Sequence, residues 1–179
     1  AYDAKTGKLV WSFNTIPGPG EFGHETWEGN SWERGGGPVW SHPAVDVELG
    51  LLYLPVGNAY PDTDGSRRGG DNLFTASIVA LDLKTGARRW HFQEVHHDLW
   101  DYDNQTPPVL ADVRVGGQVR RVLIHGGKTG LTYILDRTTG RPVVGIEERP
   151  VPQEPAQKTA KRARVSPCSP RKPTTHRTR

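Results

Sequence analysis

Apolar residues in this chain fall in short runs separated by polar, glycine-rich turns. SHPAVDVELGLLYLPVGN (41–58) and PPVLADVRVGGQVRRVLIHGG (107–127) each carry an apolar stretch, a polar turn and a second apolar stretch. That is the pattern of two strands joined by a hairpin. A second kind of strand pair recurs. AYDAKTGKLVWSF (1–13) aligns without a gap with ALDLKTGARRWHF (80–92), and YILDRTTGRPV (133–143) keeps the D-x-x-T-G core without the tryptophan. In each copy Asp and Thr can bond the turn's own backbone, and Gly supplies the left-handed conformation a tight hairpin needs. Trp11 and Trp90, at matching positions of the first two copies, are expected to lie flat over a neighbouring sheet.

Joining the two kinds of pair gives units of four strands at roughly 43–92 and 107–144. Four-stranded units recurring every ~40–50 residues are the pattern of β-propeller blades. The expected fold is all-β: a partial β-propeller of about two to three blades, the first of them represented only by its end. Segments 14–40 and 59–73 read as insertions at blade rims, where functional residues usually sit. The 21 glycines, 15 prolines and six tryptophans suit short strands and turns better than long helices. No apolar run approaches the ~18 residues a membrane span needs.

Charge divides the chain. Residues 161–179 hold seven Lys/Arg and no acid, leaving 16 basic against 20 acidic residues elsewhere, so the net +3 belongs to the tail. With almost nothing apolar to bury, 159–179 is expected to be disordered, and the propeller domain to end at 158. The abrupt change after Thr159 is also what a shifted reading frame produces. A nucleic-acid arm is the competing reading of such a tail; no nucleic-acid partner is expected. The single cysteine, Cys168, allows neither an intrachain disulfide nor a multi-thiolate metal site. The chain opens mid-pattern at AYDAKTG, which reads as part of a longer protein whose targeting information lies elsewhere.

The densest chemistry is EVHHDLWDYDNQ (94–105), with two histidines and three aspartates. A metal site, an acid–base pair and a polar turn all fit it. Adjacent residues on a strand point to opposite faces, so His96 and His97 read as structural, as does Asp98. Asp71 and Asn72 are placed on the substrate side by position alone. GGKTG is no phosphate loop: the motif wants glycine five residues before Gly127, where Val122 stands.

WEGNSWERGGGPVW, LLYLPVGN, GDNL, HHDLWDYD, GGKTGLTYILDRTTG and EERPVPQ follow one another in this order. The ordered set, over about 1–158, resembles the pyrroloquinoline-quinone (PQQ) dependent alcohol and sugar dehydrogenases. The resemblance implies that the D-x-x-T-G repeats are tryptophan-docking motifs of an eight-bladed propeller. It implies that Trp40 forms the floor under PQQ, that Asn58 and Asp101 ligate the metal, and that Lys128 bonds the quinone oxygens. Asp101 would take the substrate hydroxyl proton while hydride passes to the quinone. The residue types suit these roles: a wide indole for a flat tricycle, oxygen donors for calcium, a cation for charge developing on the quinone. An acid at Asp103 is associated in this family with lanthanide use, so Asp103 becomes a ligand only in that alternative; calcium is the default. A further metal ligand of alcohol-oxidising members would lie before Ala1. The resemblance also implies a periplasmic protein passing electrons to cytochrome c or a membrane quinone. Two competing readings are a non-catalytic PQQ-like propeller that binds proteins, and a metal phosphohydrolase built on HHD. The first leaves Trp40, Asn58, Asp101 and Lys128 unexplained; the second lacks further ligands.

Overall fold

The computed structural model describes residues 1–150 and the backbone of Arg164 and Val165. Strands β1 (Ala44–Asp46), β2 (Leu51–Val56), β3 (Ser77–Asp82) and β4 (Arg88–Gln93) form one antiparallel sheet in that order. This is the four-strand unit expected near 43–92. Its alternation serves two buried faces. Tyr53, Ile78, Ala80 and Trp90 pack with Leu123 and Leu135 of the following sheet. Val56, Val79 and Leu81 pack on the other side with Leu73 and Phe74, flanked by Trp11 and Phe13. A strand covered on both faces has no use for polar alternation, which is why SIVAL in β3 is buried throughout.

After the two-residue strand β5 (Val95–His96), a second sheet is built from β6 (Val109–Val115), β7 (Gln118–Gly126) and β8 (Thr132–Asp136). A fourth strand was expected here up to residue 144. Instead the chain makes one bridge, Leu135 to Pro142, held by bonds from Asp136 N to Arg141 O (2.7 Å) and from Val143 N to Ile134 O (2.8 Å). Pro142 sits between the two bonded residues, so its nitrogen faces away from β8 and takes no part in this pairing. Strands β9 (Arg149–Pro150) and β10 (Arg164–Val165) complete a small sheet in the order β5-β10-β9. Thus the tail expected to be disordered contributes one short paired strand. Residues 151–163 and 166–179, and with them the rest of that expectation, lie outside the described residues. Helical structure is limited, among the described residues, to two 3-10 turns at His24–Thr26 and Ser31–Arg34. No helix among them is long and apolar enough to cross a membrane.

The three repeat turns are near copies of one another. Asp3 Oδ1 accepts from Lys5 N, Thr6 N and Thr6 Oγ1 at 3.0, 2.7 and 2.8 Å. Asp82 repeats the set with Lys84 and Thr85, and Asp136 with Thr138 and Thr139, all at 2.9–3.0 Å. Gly7, Gly86 and Gly140 follow at φ 68, 71 and 73°, the left-handed position that closes each hairpin. Bonds from Thr6 hold the Asp3 carboxyl below the ordinary range, and those from Thr85 do the same for Asp82.

The tryptophans join these units. Trp11 Nε1 donates to Leu83 O (3.1 Å), and a Cβ on Gly86 would stand 2.4 Å from the Trp11 ring. Trp90 Nε1 donates to Arg137 O (3.2 Å), with Gly140 as close beneath it, at 2.5 Å by the same measure. Each indole therefore covers the glycine of the next repeat's turn, rather than simply a sheet face. Arg137 strengthens this joint: its Nε lies 2.9 Å from Asp46 Oδ2, and its carbonyl also accepts from Tyr53 OH (2.8 Å).

Candidate active site

The two expected insertions pair with each other at the end of β2. Gly37 N donates to Asn58 O, Gly57 N to Pro38 O and Tyr60 N to Gly35 O, at 2.8, 2.8 and 3.0 Å. This approach depends on glycine: a Cβ on Gly36 would lie 2.7 Å from Tyr60 N. The pairing sets Asn58 beside the GGGPVW segment. Trp40, two residues beyond Pro38, stands 57% exposed. A shallow cleft of ≈450 Å³, lined by Arg34, Gly36, Pro38, Asn58, Tyr60 and Asp62, opens alongside Asn58.

The loop that follows β5 carries the aspartates. Asp98 is buried and accepts Trp100 N (2.9 Å) and Tyr102 N (2.8 Å), which folds the loop back on itself. Burial pushes its carboxyl up to about 6. Asp101 follows at φ 59°, a left-handed conformation that costs a side-chain-bearing residue roughly 1 kcal/mol or more. Asn72, Ala76 and His97 share that region of backbone space. All four lie in the loops around β3–β5, so the irregular backbone gathers where the candidate residues are.

Arg68 ties these loops together, and no motif or spacing in the sequence points to it. It is 1% exposed. Its guanidinium donates to Pro61 O (3.2 and 3.1 Å), to Asn72 Oδ1 (2.8 Å) and to the carbonyl of Asp98. One side chain thus spans the segment after Asn58, the GGDNL segment and the loop before Asp101. Only the oxygens converging on Arg68 set it apart from its neighbour Arg67. Asn72, expected on the substrate side, serves this clamp instead.

At the centre stands Lys128, on the turn after β7. Its Nζ donates to Asp101 Oδ2 and Asp103 Oδ2, both at 2.9 Å. These bonds, Asp101's first, raise the ammonium's pKa above its ordinary value. Asp103 uses its other oxygen to accept Asn58 N (3.0 Å). Gly57 makes room, since a Cβ there would lie 2.8 Å from Asp103 Oδ1. The two aspartates differ in exposure: 10% for the Asp103 side chain, 44% for Asp101. Asp103 anchors the cluster and Asp101 faces outward. Asn58 Nδ2 donates to Asp62 Oδ1 (2.6 Å) and Ala59 O (3.1 Å), leaving its Oδ1 outside both bonds.

Four of the five expected site residues, Asn58, Asp101, Asp103 and Lys128, therefore meet in one cluster. Trp40 is joined to it through the backbone pairing at Asn58. Among the described residues, no three His, Cys, Asp or Glu side chains gather as a metal cage. The cluster's residues bring two carboxylates, both bonded by Lys128, and a side-chain amide that reaches Asp103 only through the Asn58 backbone; these are oxygen donors of the type calcium takes. The histidines stay apart from it. His96 Nε2 lies 3.3 Å from Glu148 Oε1, and His97 Nδ1 donates to Gly70 O (2.8 Å).

A family model described as "Glucose/ethanol/alcohol dehydrogenase, beta-propeller domain", for PQQ, matches residues 1–179. The chain belongs to the PQQ-dependent dehydrogenase β-propeller family. It is 41% identical over 155 residues to a quinohemoprotein alcohol dehydrogenase of Comamonas testosteroni, covering 79% of this chain and 22% of that protein. The crystal structure of the Comamonas testosteroni enzyme superposes with a TM-score of 0.74 at 40% identity, over 79% of this chain and 23% of that one. The quinoprotein glucose dehydrogenase of Escherichia coli K12 is 38% identical over 157 residues, covering 87% of this chain and 20% of that protein. A solved europium-containing methanol dehydrogenase matches with a TM-score of 0.66 at 32% identity, over 89% of this chain and 28% of that one. The chain spans about a fifth of the length of the curated relatives it matches.

Proposed function

We propose that this chain is the part of a PQQ-dependent dehydrogenase that carries the general base, for oxidising an alcohol or sugar hydroxyl to a carbonyl. One observation carries the reading: Lys128 bonded to both Asp101 and Asp103, with Asp103 anchored on Asn58 N. A propeller serving only as a scaffold gives no reason for that convergence.

The chemistry of each residue follows from its place. Bound PQQ would supply the ortho-quinone that accepts the hydride. Asp101, the exposed carboxylate of the pair, takes the substrate hydroxyl proton. Lys128 holds Asp101 in place through one carboxylate oxygen and presents an ammonium to negative charge developing beside it. The exposed indole of Trp40 offers a flat apolar face for the ring. Asn58 Oδ1 and Asp101 would hold calcium, which polarises a carbonyl oxygen as a Lewis acid. Asp103 would join them in the lanthanide alternative; the likeness to a europium-containing relative supports keeping that alternative. We place the parent protein in the periplasm, with cytochrome c or a membrane quinone as electron acceptor, on family likeness.

Reconstitution of the full-length protein with PQQ and either calcium or a lanthanide, followed by dye reduction with ethanol and with glucose, tests the reading. Quinone absorbance in the purified protein and turnover of at least one substrate are expected. Neither absorbance nor turnover with any alcohol or sugar would remove it.

A further inference from the structure

Behind the Lys128 turn lies a titratable pair that the proposed chemistry does not use. His125 Nδ1 is 2.6 Å from Glu94 Oε1, and the two side chains are 0% and 1% exposed. His125 Nε2 is 3.1 Å from the carbonyl of Thr106. A carbonyl only accepts, so Nε2 carries its hydrogen. The short Nδ1–Oε1 contact must then contain one proton of its own, since a carboxylate facing a bare imidazole nitrogen would be repelled.

The pair touches the segments that bear the site. Glu94 Oε2 packs on Gly127, where a Cβ would lie only 2.9 Å away. Thr106, which accepts from His125, donates through its own hydroxyl to Gly126 O. The two residues before Lys128 are thereby pinned by Glu94 on one side and by the 104–106 segment, just past Asp101 and Asp103, on the other. Glu94 itself is fixed to the first sheet by its N–H on Ala76 O (2.8 Å).

We propose that Glu94 and His125 form a one-proton contact that positions Lys128 between Asp101 and Asp103. The inference rests on the dehydrogenase reading for its consequence, but not for its geometry. Burial raises the Glu94 carboxyl above its ordinary value, opposed by the bond to His125. Both are positioning residues, since neither reaches the cluster directly. Glu94→Gln keeps a hydrogen-bonding partner for Nδ1, whereas Glu94→Ala removes the contact.

Two measurements on the full-length protein test this. In amide hydrogen exchange without added cofactor, Glu94→Ala is expected to raise exchange about tenfold across 101–106 and 125–130, while Glu94→Gln stays within about twofold of wild type. Gln exchanging like Ala, or Ala leaving both segments protected, overturns the proposal. In turnover by the reconstituted enzyme, Glu94→Ala is expected to cost about tenfold in kcat beside Lys128 and less than about twofold in a Lys128→Met background. An equal loss in both backgrounds would mean that Glu94 does not act through Lys128. A wild type that fails to turn over sinks the dehydrogenase reading alone and leaves the exchange measurement decisive.

Discussion

Aspartates do opposite work in two regions of this molecule. In the repeat turns, the Oδ1 atoms of Asp3, Asp82 and Asp136 accept from residues two and three positions away. In the loop after β5, Asp101 and Asp103 bond Lys128, 27 and 25 residues distant, and Asp103 also bonds Asn58 N, 45 residues distant. The turns fold themselves; the site exists only once three loops are in place. Tryptophans divide the same way. Trp90 is 7% exposed with its glycine beneath it, whereas Trp40 is 57% exposed.

The sharpest way to break this comparison is to exchange the fates of the tryptophans. Trp90→Ala removes a buried ring from the joint between sheets and is expected to cost about 3–5 kcal/mol in denaturant unfolding of the full-length protein. Trp40→Ala is expected to leave the unfolding midpoint nearly unchanged and to weaken PQQ binding, read from quinone absorbance. Equal losses of stability would mean that Trp40 is ordinary core.

Two buried groups give opposite pH dependences. Burial holds Asp98 at about 6 against an ordinary 3.8, so its contribution to stability is full below about pH 4 and is lost as pH rises to 6. Burial, aided by Arg88, pushes His91 down to about 4 from 6.5, so its contribution is full above pH 6.5 and is lost as pH falls to 4. Each amounts to about 3 kcal/mol across its window, and between pH 4 and 6 they oppose one another. Asp98→Asn is therefore expected to make stability climb more steeply with pH there, and His91→Gln to make it fall. Parallel slopes in the two variants would contradict both assignments.

Gly57→Ala sets a methyl against Asp103 Oδ1 and is expected to cost about 1–3 kcal/mol, with weaker metal binding by the reconstituted protein. The smallest effect belongs to the local turns. Asp82→Ala is expected to lower the melting temperature slightly and leave turnover alone. The depressed Asp82 carboxyl contributes stability that is present above pH 3.8 and lost as pH falls below it. The variant's deficit should therefore fade in acid.

What was legible in the sequence follows the same division. The D-x-x-T-G turns and the hairpins at 41–58 and 107–127 could be read because their hydrogen bonds or their periodicity are local. Trp11 and Trp90 could be read because the repeat sets them at matching positions, although their partners Leu83 and Arg137 are 72 and 47 residues away. Asn58, Asp101, Asp103 and Lys128 were expected together from motif order, the density of acids at 94–105 marking only one of the loops, because their meeting depends on contacts between distant loops. Arg68, Glu94 and His125 went unseen for a physical reason. A buried, bonded polar group and a solvated one have the same letter, and only the surrounding carbonyls and carboxylates tell them apart.

The central claim is that Asp101 is the base, held by Lys128. Asp101→Asn in the reconstituted full-length protein tests it most directly, with quinone absorbance and kcat measured on the same sample. Retained absorbance with turnover lowered by about a hundredfold or more is the expected result. Retained absorbance with undiminished turnover would contradict the account.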